Sequence, residues 1–239
     1  MPPSPKTEPT HRIVIAGQAV AYLLKRSQRR TIGLSIDQRG LRVGAPLRAR
    51  QGDIEALILQ HGHWVLDKLA TWRERPPPEK LVVVDGTTIL TLGQPLTVSI
   101  TPAARNSWRF VEDRLLLGLN ATVDVNKVLE KALREKARAH FSERLAHYAP
   151  KLGVSLPPLR LSSARTRWGS CSHHGGISLN WRLIFMSPEV VDYVVAHELA
   201  HLREMNHSAR FWAVVEQLCP DHKRLRAELR ERAKHLPVL

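Results

Sequence analysis

Two histidines four residues apart, with a glutamate directly after the first, are the residues of this sequence best placed to do chemistry: His197-Glu198-x-x-His201. On an α-helix, positions i and i+4 lie about 40° apart around the axis, so both imidazoles project towards one point. Two neutral imidazoles meeting at about 2.0–2.1 Å from a cation suit Zn2+, and other divalent ions accept the same donors. Glu198 is turned about 100° from His197 on such a helix. It can stand beside a water at the metal without taking a coordination position, and accept that water's proton. In a chain with 12 histidines among 239 residues, chance supplies roughly 0.04 such motifs. The chemistry this spacing predicts is metal-assisted hydrolysis.

A catalytic site of this kind takes a third protein ligand and keeps one position open. His207 is six residues beyond His201, an offset of about 240° on a continuous helix, which points away from the metal. The helix must therefore end between them. Asn206 can adopt the left-handed conformation that ends helices, and Ser208 can cap a new helix over 209–219, stopped by Pro220. That places His207 in the interhelical turn, with Glu216 and Glu228 on later helices as alternative ligands. Five arginines, Arg165, Arg167, Arg182, Arg203 and Arg210, fall in the same part of the chain, and guanidinium groups recognise phosphate in bidentate fashion. A phosphoanhydride substrate is thus a candidate beside a peptide. An extended peptide could instead add to the edge of a strand over 177–185. The stretch Trp168-Gly169-Ser170-Cys171 reads as a tight loop beside the site, Cys171 as an inert thiol, and His173 and His174 as exposed loop residues.

The elements that must position these residues follow from the periodicity. Ser187-Pro188-Glu189 opens the helix that carries the motif, and Val191, Val195, Leu199 and Leu202 give it an apolar face. Before it come strands over 159–163 and 177–185. The latter alternates Ile177, Leu179, Trp181, Leu183 and Phe185 on one face. A long amphipathic helix spans 125–148, with Val128, Leu129, Ala132, Leu133, Ala139, Phe141 and Leu145 as its core positions. Residues 12–123 alternate β-prone runs with turns: 13–16, 19–24, 31–36 and 41–43, then a hairpin over 81–92 around Asp85-Gly86, then 96–100, 108–111 and 115–119. One helix, capped by Asp53 and ending before Pro76-Pro77-Pro78, interrupts them. Residues 1–11 read as a flexible leader. The chain shows no repeat period. The fold class is α+β, with a β-rich region over 12–123 followed by a helix-dominated region over 124–239.

Composition bounds the function classes. The chain carries 36 Lys+Arg against 22 Asp+Glu, a formal charge of +14 and a pI of about 10.6. Nucleic acid is therefore a partner to weigh, and a third function class is a non-enzymatic, zinc-stabilised nucleic-acid-binding protein. The charge is spread evenly along the chain, and its densest cluster, Lys25-Arg26-Ser27-Gln28-Arg29-Arg30, reads as a solvated turn between strands. Phe, Tyr and Trp make up 5% of residues and do not interleave with the basic clusters, so no stacking platform for single strands is evident. No apolar run approaches the ~18 residues of a membrane span, and the first residues lack a signal-peptide core. Two cysteines are too few for a disulfide scaffold. A soluble, cytoplasmic protein is the expectation.

The stretch from His197 to Trp212, HELAHLREMNHSARFW, resembles the YgjP-like metallopeptidase family. It is preceded by Arg165–Ser172 (RTRWGSCS) and by GGISLNWRLIFMSP. That family is related to SprT-like and minigluzincin zincins. The resemblance extends to KRSQRRTIGLSI (Lys25–Ile36) and to Gly62-His63-Trp64, and so covers about residues 20–235. It implies a zincin-type catalytic core, with His197, His201 and His207 matching metal ligands, Glu198 matching the catalytic carboxylate, and 125–148 as the supporting helix. There is no glycine three residues after His201 and no methionine downstream of His207, so the metzincin pattern is not met. Members of the family are mostly labelled metal-dependent hydrolases or peptidases, and some are associated with pyrophosphohydrolysis of nucleoside triphosphates, notably UTP.

Overall fold

The computed structural model describes residues 10–37, 39–73, 81–164 and 166–239. Most of the leader (1–9), the connector Pro76–Pro78 and Arg165 lie outside the described residues. The chain divides into two compact units, Met1–Pro77 and Pro78–Leu239. The change of sequence character lies elsewhere, at 123/124, because four strands that read as a continuation of the β-rich start belong to the second unit.

The first unit is a four-stranded sheet with two helices. The strands β1 (Thr10–Ile15), β2 (Gln18–Ser27), β3 (Gly33–Asp37) and β4 (Gly40–Pro46) pair in the order β1-β2-β4-β3. Pairing is parallel between β2 and β4 and antiparallel at the other two junctions. Alternation places Val20, Tyr22, Leu41 and Val43 in the core, against Ile54, Ile58 and Val65. The single helix expected here is two, α1 (Gln51–Gln60) and α2 (Gly62–Arg73), broken at His61. Asp53 lies in the first turn of α1 and Arg50 is its N-cap. An acid in that turn still favours the positive end of the helix, so the signal was real and three positions off.

The second unit begins by repeating the same β frame. Strands β5 (Thr88–Thr91), β6 (Gln94–Pro102), β7 (Ser107–Val111) and β8 (Arg114–Leu119) pair in the order β5-β6-β8-β7, with the same parallel central pair. The hairpin turns at Leu92-Gly93 rather than at Asp85-Gly86; both Leu92 and Gly93 have positive φ, as do Ala16 and Gly17 at the corresponding turn. Registers correspond position by position. Ile13↔Val20 answers to Ile89↔Leu96, Tyr22↔Leu41 to Val98↔Leu115, and Leu34↔Val43 to Trp108↔Leu117. The repeat escapes a sequence scan because it conserves which positions are buried and not which residues fill them.

Helix α3 (Val125–Tyr148) follows, capped by the Asp124 carboxylate, which accepts from the Asn126 amide at 3.0 Å. Its buried stripe is the expected one except that Ala137, not Ala139, is buried beside Ala132 and that Tyr148 joins it. A small sheet then forms from β9 (Leu159–Ser162), β10 (Gly169–Cys171) and β11 (Ile177–Asn180), with β11 in the middle. The expected strand over 177–185 stops at Asn180, and Trp181–Phe185 is a 3-10 turn. Asn180 causes the switch: its side-chain oxygen accepts from the Arg182 amide at 3.1 Å, capping the turn. Trp181, Leu183 and Ile184 are all fully buried, and that concentration of apolar side chains imitated a strand. Helices α4 (Pro188–Ala200), α5 (Ala209–Leu218) and α6 (His222–Arg232) complete the unit. No described helix is long and apolar enough to cross a membrane.

Candidate metal centre

Helix α4 is buried nearly all round, with Val191, Val194, Val195, Leu199 and Ala200 in the core. It is fixed to α3 by a polar clamp. Arg144 donates to both oxygens of Asp192, at 2.5 and 2.9 Å, and the Tyr148 hydroxyl donates to Asp192 at 3.1 Å. His197 therefore has a defined azimuth, one turn beyond the clamp. The helix ends at Ala200, with His201 as C-cap in right-handed helical conformation. No left-handed residue is used, and Asn206 is not among the positive-φ residues. Turn hydrogen bonds from the Leu202 and Arg203 amides to Leu199 and Ala200 carbonyls close the end instead. The chain reverses, and Ser208 caps α5 through its side-chain oxygen.

That reversal brings His207 back. Among the described residues, His197, His201 and His207 form a group of three whose ligand atoms all lie within 4.8 Å of one another. Nε2 of His207 and Nε2 of His197 are 3.2 Å apart. Two ligands about 2.05 Å from one tetrahedral ion lie about 3.3 Å apart, so this pair has the separation a metal requires. Nδ1 of His201 lies 3.3 Å from the Glu204 carbonyl, which leaves its Nε2 for a metal. Burial, with His201, His207 and Arg226 adding to it, lowers the pKa of His197 to about 4, and burial also lowers that of His201. Both are thus neutral at pH 7, the form that binds metals. The donor set fits Zn2+.

Glu198 is buried, 5% exposed, and burial raises its pKa to about 7, with Arg167 opposing. It abuts β10 so closely that a Cβ on Gly169 would overlap the carboxylate, which explains the glycine in Trp168-Gly169-Ser170-Cys171. That stretch is an edge strand, not a loop. Cys171 is half-buried and burial raises its pKa, in line with an unreactive thiol.

The other expected residues divide. Arg167 is exposed and close enough to act on Glu198. Arg203 donates to the Leu152 carbonyl, through Nε at 3.1 Å and through Nη2, and so ties the chain reversal to the turn after α3. Arg182 lies over the Trp181 ring at 4.7 Å, and Arg210 is exposed on the first turn of α5. Glu216 is exposed, and Glu228 is held by Arg232 at 2.8 Å and by Arg224 at 3.5 Å; neither joins the histidines.

Three further residues, given no role by their spacing, shape the site. Phe211 places its ring 4.9, 4.6 and 4.7 Å from those of His197, His201 and His207, forming an apolar floor. Trp212 stacks on His222 at 5.6 Å, lies 6.0 Å from His207, and has Arg226 over its ring at 5.4 Å. Buried Asn180 donates to the Ala164 and Arg167 carbonyls at 2.7 and 3.3 Å, holding the segment that brings Arg167 to Glu198. The Ser208 cap was the available signal for Phe211, since it puts that residue on the first turn facing the histidine loop.

No curated protein matches the sequence. Among solved structures, the metallopeptidase zymogen abylysin of Pyrococcus abyssi is 26% identical over 41% of this chain and 99% of its own, with a TM-score of 0.37. The metallopeptidase zymogen jannalysin of Methanocaldococcus jannaschii is 16% identical over 40% of this chain and 95% of its own, with a TM-score of 0.34. The model of the YgjP-like metallopeptidase domain matches residues 30–232, nearly the whole described length of both units, and the chain belongs to that family of metal-dependent hydrolases.

Proposed function

We propose that this protein is a zinc-dependent peptidase in which His197, His201 and His207 hold the metal and Glu198 is the general base. The convergence of three imidazoles beside a buried carboxylate carries the reading. Bound zinc would polarise the scissile carbonyl and acidify the attacking water. Glu198, with a pKa raised towards neutrality, takes the proton from that water and returns it to the departing amine. Its desolvated pocket matches its proton affinity to both halves of that transfer. The apolar floor of Phe211 keeps competing water from the far side of the imidazoles.

An extended substrate is best received by β10. The strand expected for this purpose, β11, is paired on both sides, with β9 and with β10, so its edges are taken. Among the described residues β10 pairs with β11 alone and its Gly169 lies against Glu198, so main-chain pairing at its other edge would bring a peptide close to the carboxylate. A nucleoside triphosphate has weaker support, because Arg203 and Arg182 are engaged away from the histidines. A metal with a purely structural role would leave the buried Glu198 without a purpose.

The test compares wild type with Glu198→Gln, each with its zinc content measured, on quenched-fluorescent peptides, unfolded casein and a panel of nucleoside triphosphates. Wild type should cleave peptides, and Glu198→Gln should keep its zinc while turnover falls by about 10²–10⁴-fold. Pyrophosphate release without peptide cleavage would replace the peptidase reading with a nucleotide hydrolase.

A further inference from the structure

The first unit leaves one face of its sheet uncovered by its own helices, and that face is cationic. In register across it lie Lys25 opposite Gly44 and Leu23 opposite Arg42, with Gly33 and Ser35 on the far side of β4. Arg29, from the turn between β2 and β3, lies back over the strands. A Cβ on Gly44 would overlap its guanidinium, and one on Gly33 would come within 2.8 Å of Nη2. The two facing glycines are therefore a cradle that fixes a cation. Lys25, Arg29 and Arg42 line one cleft of about 310 Å³. Among the described residues, the side chains of Lys25 and Arg29 have no carboxylate partner, and Arg42 has only Asp37, at 3.8 Å.

The second repeat shows that the frame does not need these charges. The positions of Lys25 and Arg42 are taken there by Thr101 and Leu116, and that of Gly33 by Ser107. The Ser107 hydroxyl stands 2.7 Å from where a Cβ of Gly118 would sit, so it fills the place that Arg29 occupies in the first repeat. Clustering like charges on a sheet face destabilises it. In the first repeat they are retained at that cost, and Gly33 in place of a serine completes the glycine pair that holds one of them in place.

We propose that this face binds the phosphates of a nucleic-acid backbone. Guanidinium forks and a lysine with open donors are the groups that take phosphate oxygens. The small residues between them let a backbone lie close, and Arg12 on β1 extends the row beyond what one phosphate can satisfy. The site is separate from the histidine cluster and does not depend on its chemistry.

Fluorescence anisotropy of a labelled 20-nucleotide oligothymidylate with the full, tag-free chain tests it. Far-UV circular dichroism and melting temperature serve as checks of folding. Arg29→Ala/Arg42→Ala should weaken binding at least tenfold at 50 mM salt and reduce the slope of log K against log salt by about 1.4. Gly44→Ala, which leaves the charge unchanged and evicts Arg29 from its cradle, should also weaken binding. Arg105→Ala/Arg109→Ala, which removes two cations from the second repeat, should change it less than twofold. No binding by wild type, equal losses in both double variants, or displacement by polyglutamate at equal charge concentration would each overturn the proposal.

Discussion

Burying the Glu198 carboxyl costs the fold stability at neutral pH. Its pKa in the folded chain, about 7, lies above the ordinary carboxylate value of 4.5. Such a group stabilises the fold least where the unfolded chain has ionised it and the folded chain resists: the loss begins near pH 4.5 and is complete above pH 7. Metal-free Glu198→Gln should therefore be more stable than metal-free wild type by about 3 kcal/mol at pH 8, the difference vanishing near pH 4.5. Urea denaturation in chelator at the two pH values measures it; equal midpoints at pH 8 would mean the carboxylate is not desolvated. His197 works in the opposite direction. Its folded pKa is depressed to about 4, so the stability it permits at neutral pH is lost as pH falls from about 6.5 through 4, common to both proteins. Sequence identified both residues from their spacing. Their proton affinities come from burial, which spacing does not report.

At the scale of elements, the histidines depend on how α4 is seated. The Arg144–Asp192–Tyr148 clamp is largely buried, with Arg144 and Asp192 side chains 27% and 19% exposed. The arginine is held above its usual pKa chiefly by its hydrogen bonds to Asp192. Removing Arg144 leaves a carboxylate in a low-dielectric setting without its partner. Arg144→Ala should lower stability by about 2–3 kcal/mol, and the cycle with Asp192→Ala should show a coupling above about 1 kcal/mol. Additive effects in that cycle would show that the clamp does not seat the helix. α3 and α5 were legible because amphipathic period and caps agree. The strand over 177–185 was not, because a single side chain, Asn180, bends the backbone into a 3-10 turn while leaving the apolar residues buried. Edge and centre were likewise invisible: β10 read as a loop because three residues carry too little pattern to declare a strand.

For the whole molecule, the two units have separate buried clusters that share no residue. Calorimetry should accordingly resolve two transitions. Only the one belonging to 78–239 should rise with zinc, since all three histidines lie in it; free metal at 100 times Kd adds about 2.7 kcal/mol. A shift of both transitions, or of neither, would contradict this assignment. The even spread of the +14 charge along the sequence concealed a second asymmetry. Two copies of one β frame differ in what they display: Lys25 and Arg42 in the first stand where the second has Thr101 and Leu116.

By itself the sequence determined the convergent pair His197 and His201, the carboxylate beside it, the α+β class and the long helix α3, because each rests on local period and spacing within one element. It also placed His207 in a turn, since a continuous helix would have pointed it away. Only the tertiary structure decided that His207 completes the cluster while Glu216 and Glu228 do not, that Arg203 and Arg182 are engaged elsewhere, and that Phe211 and Gly169 shape the site. It alone revealed the repeated frame. The reason is common to all of these: they depend on which chain segments meet across long separations, and on what burial does to a charge once they have met.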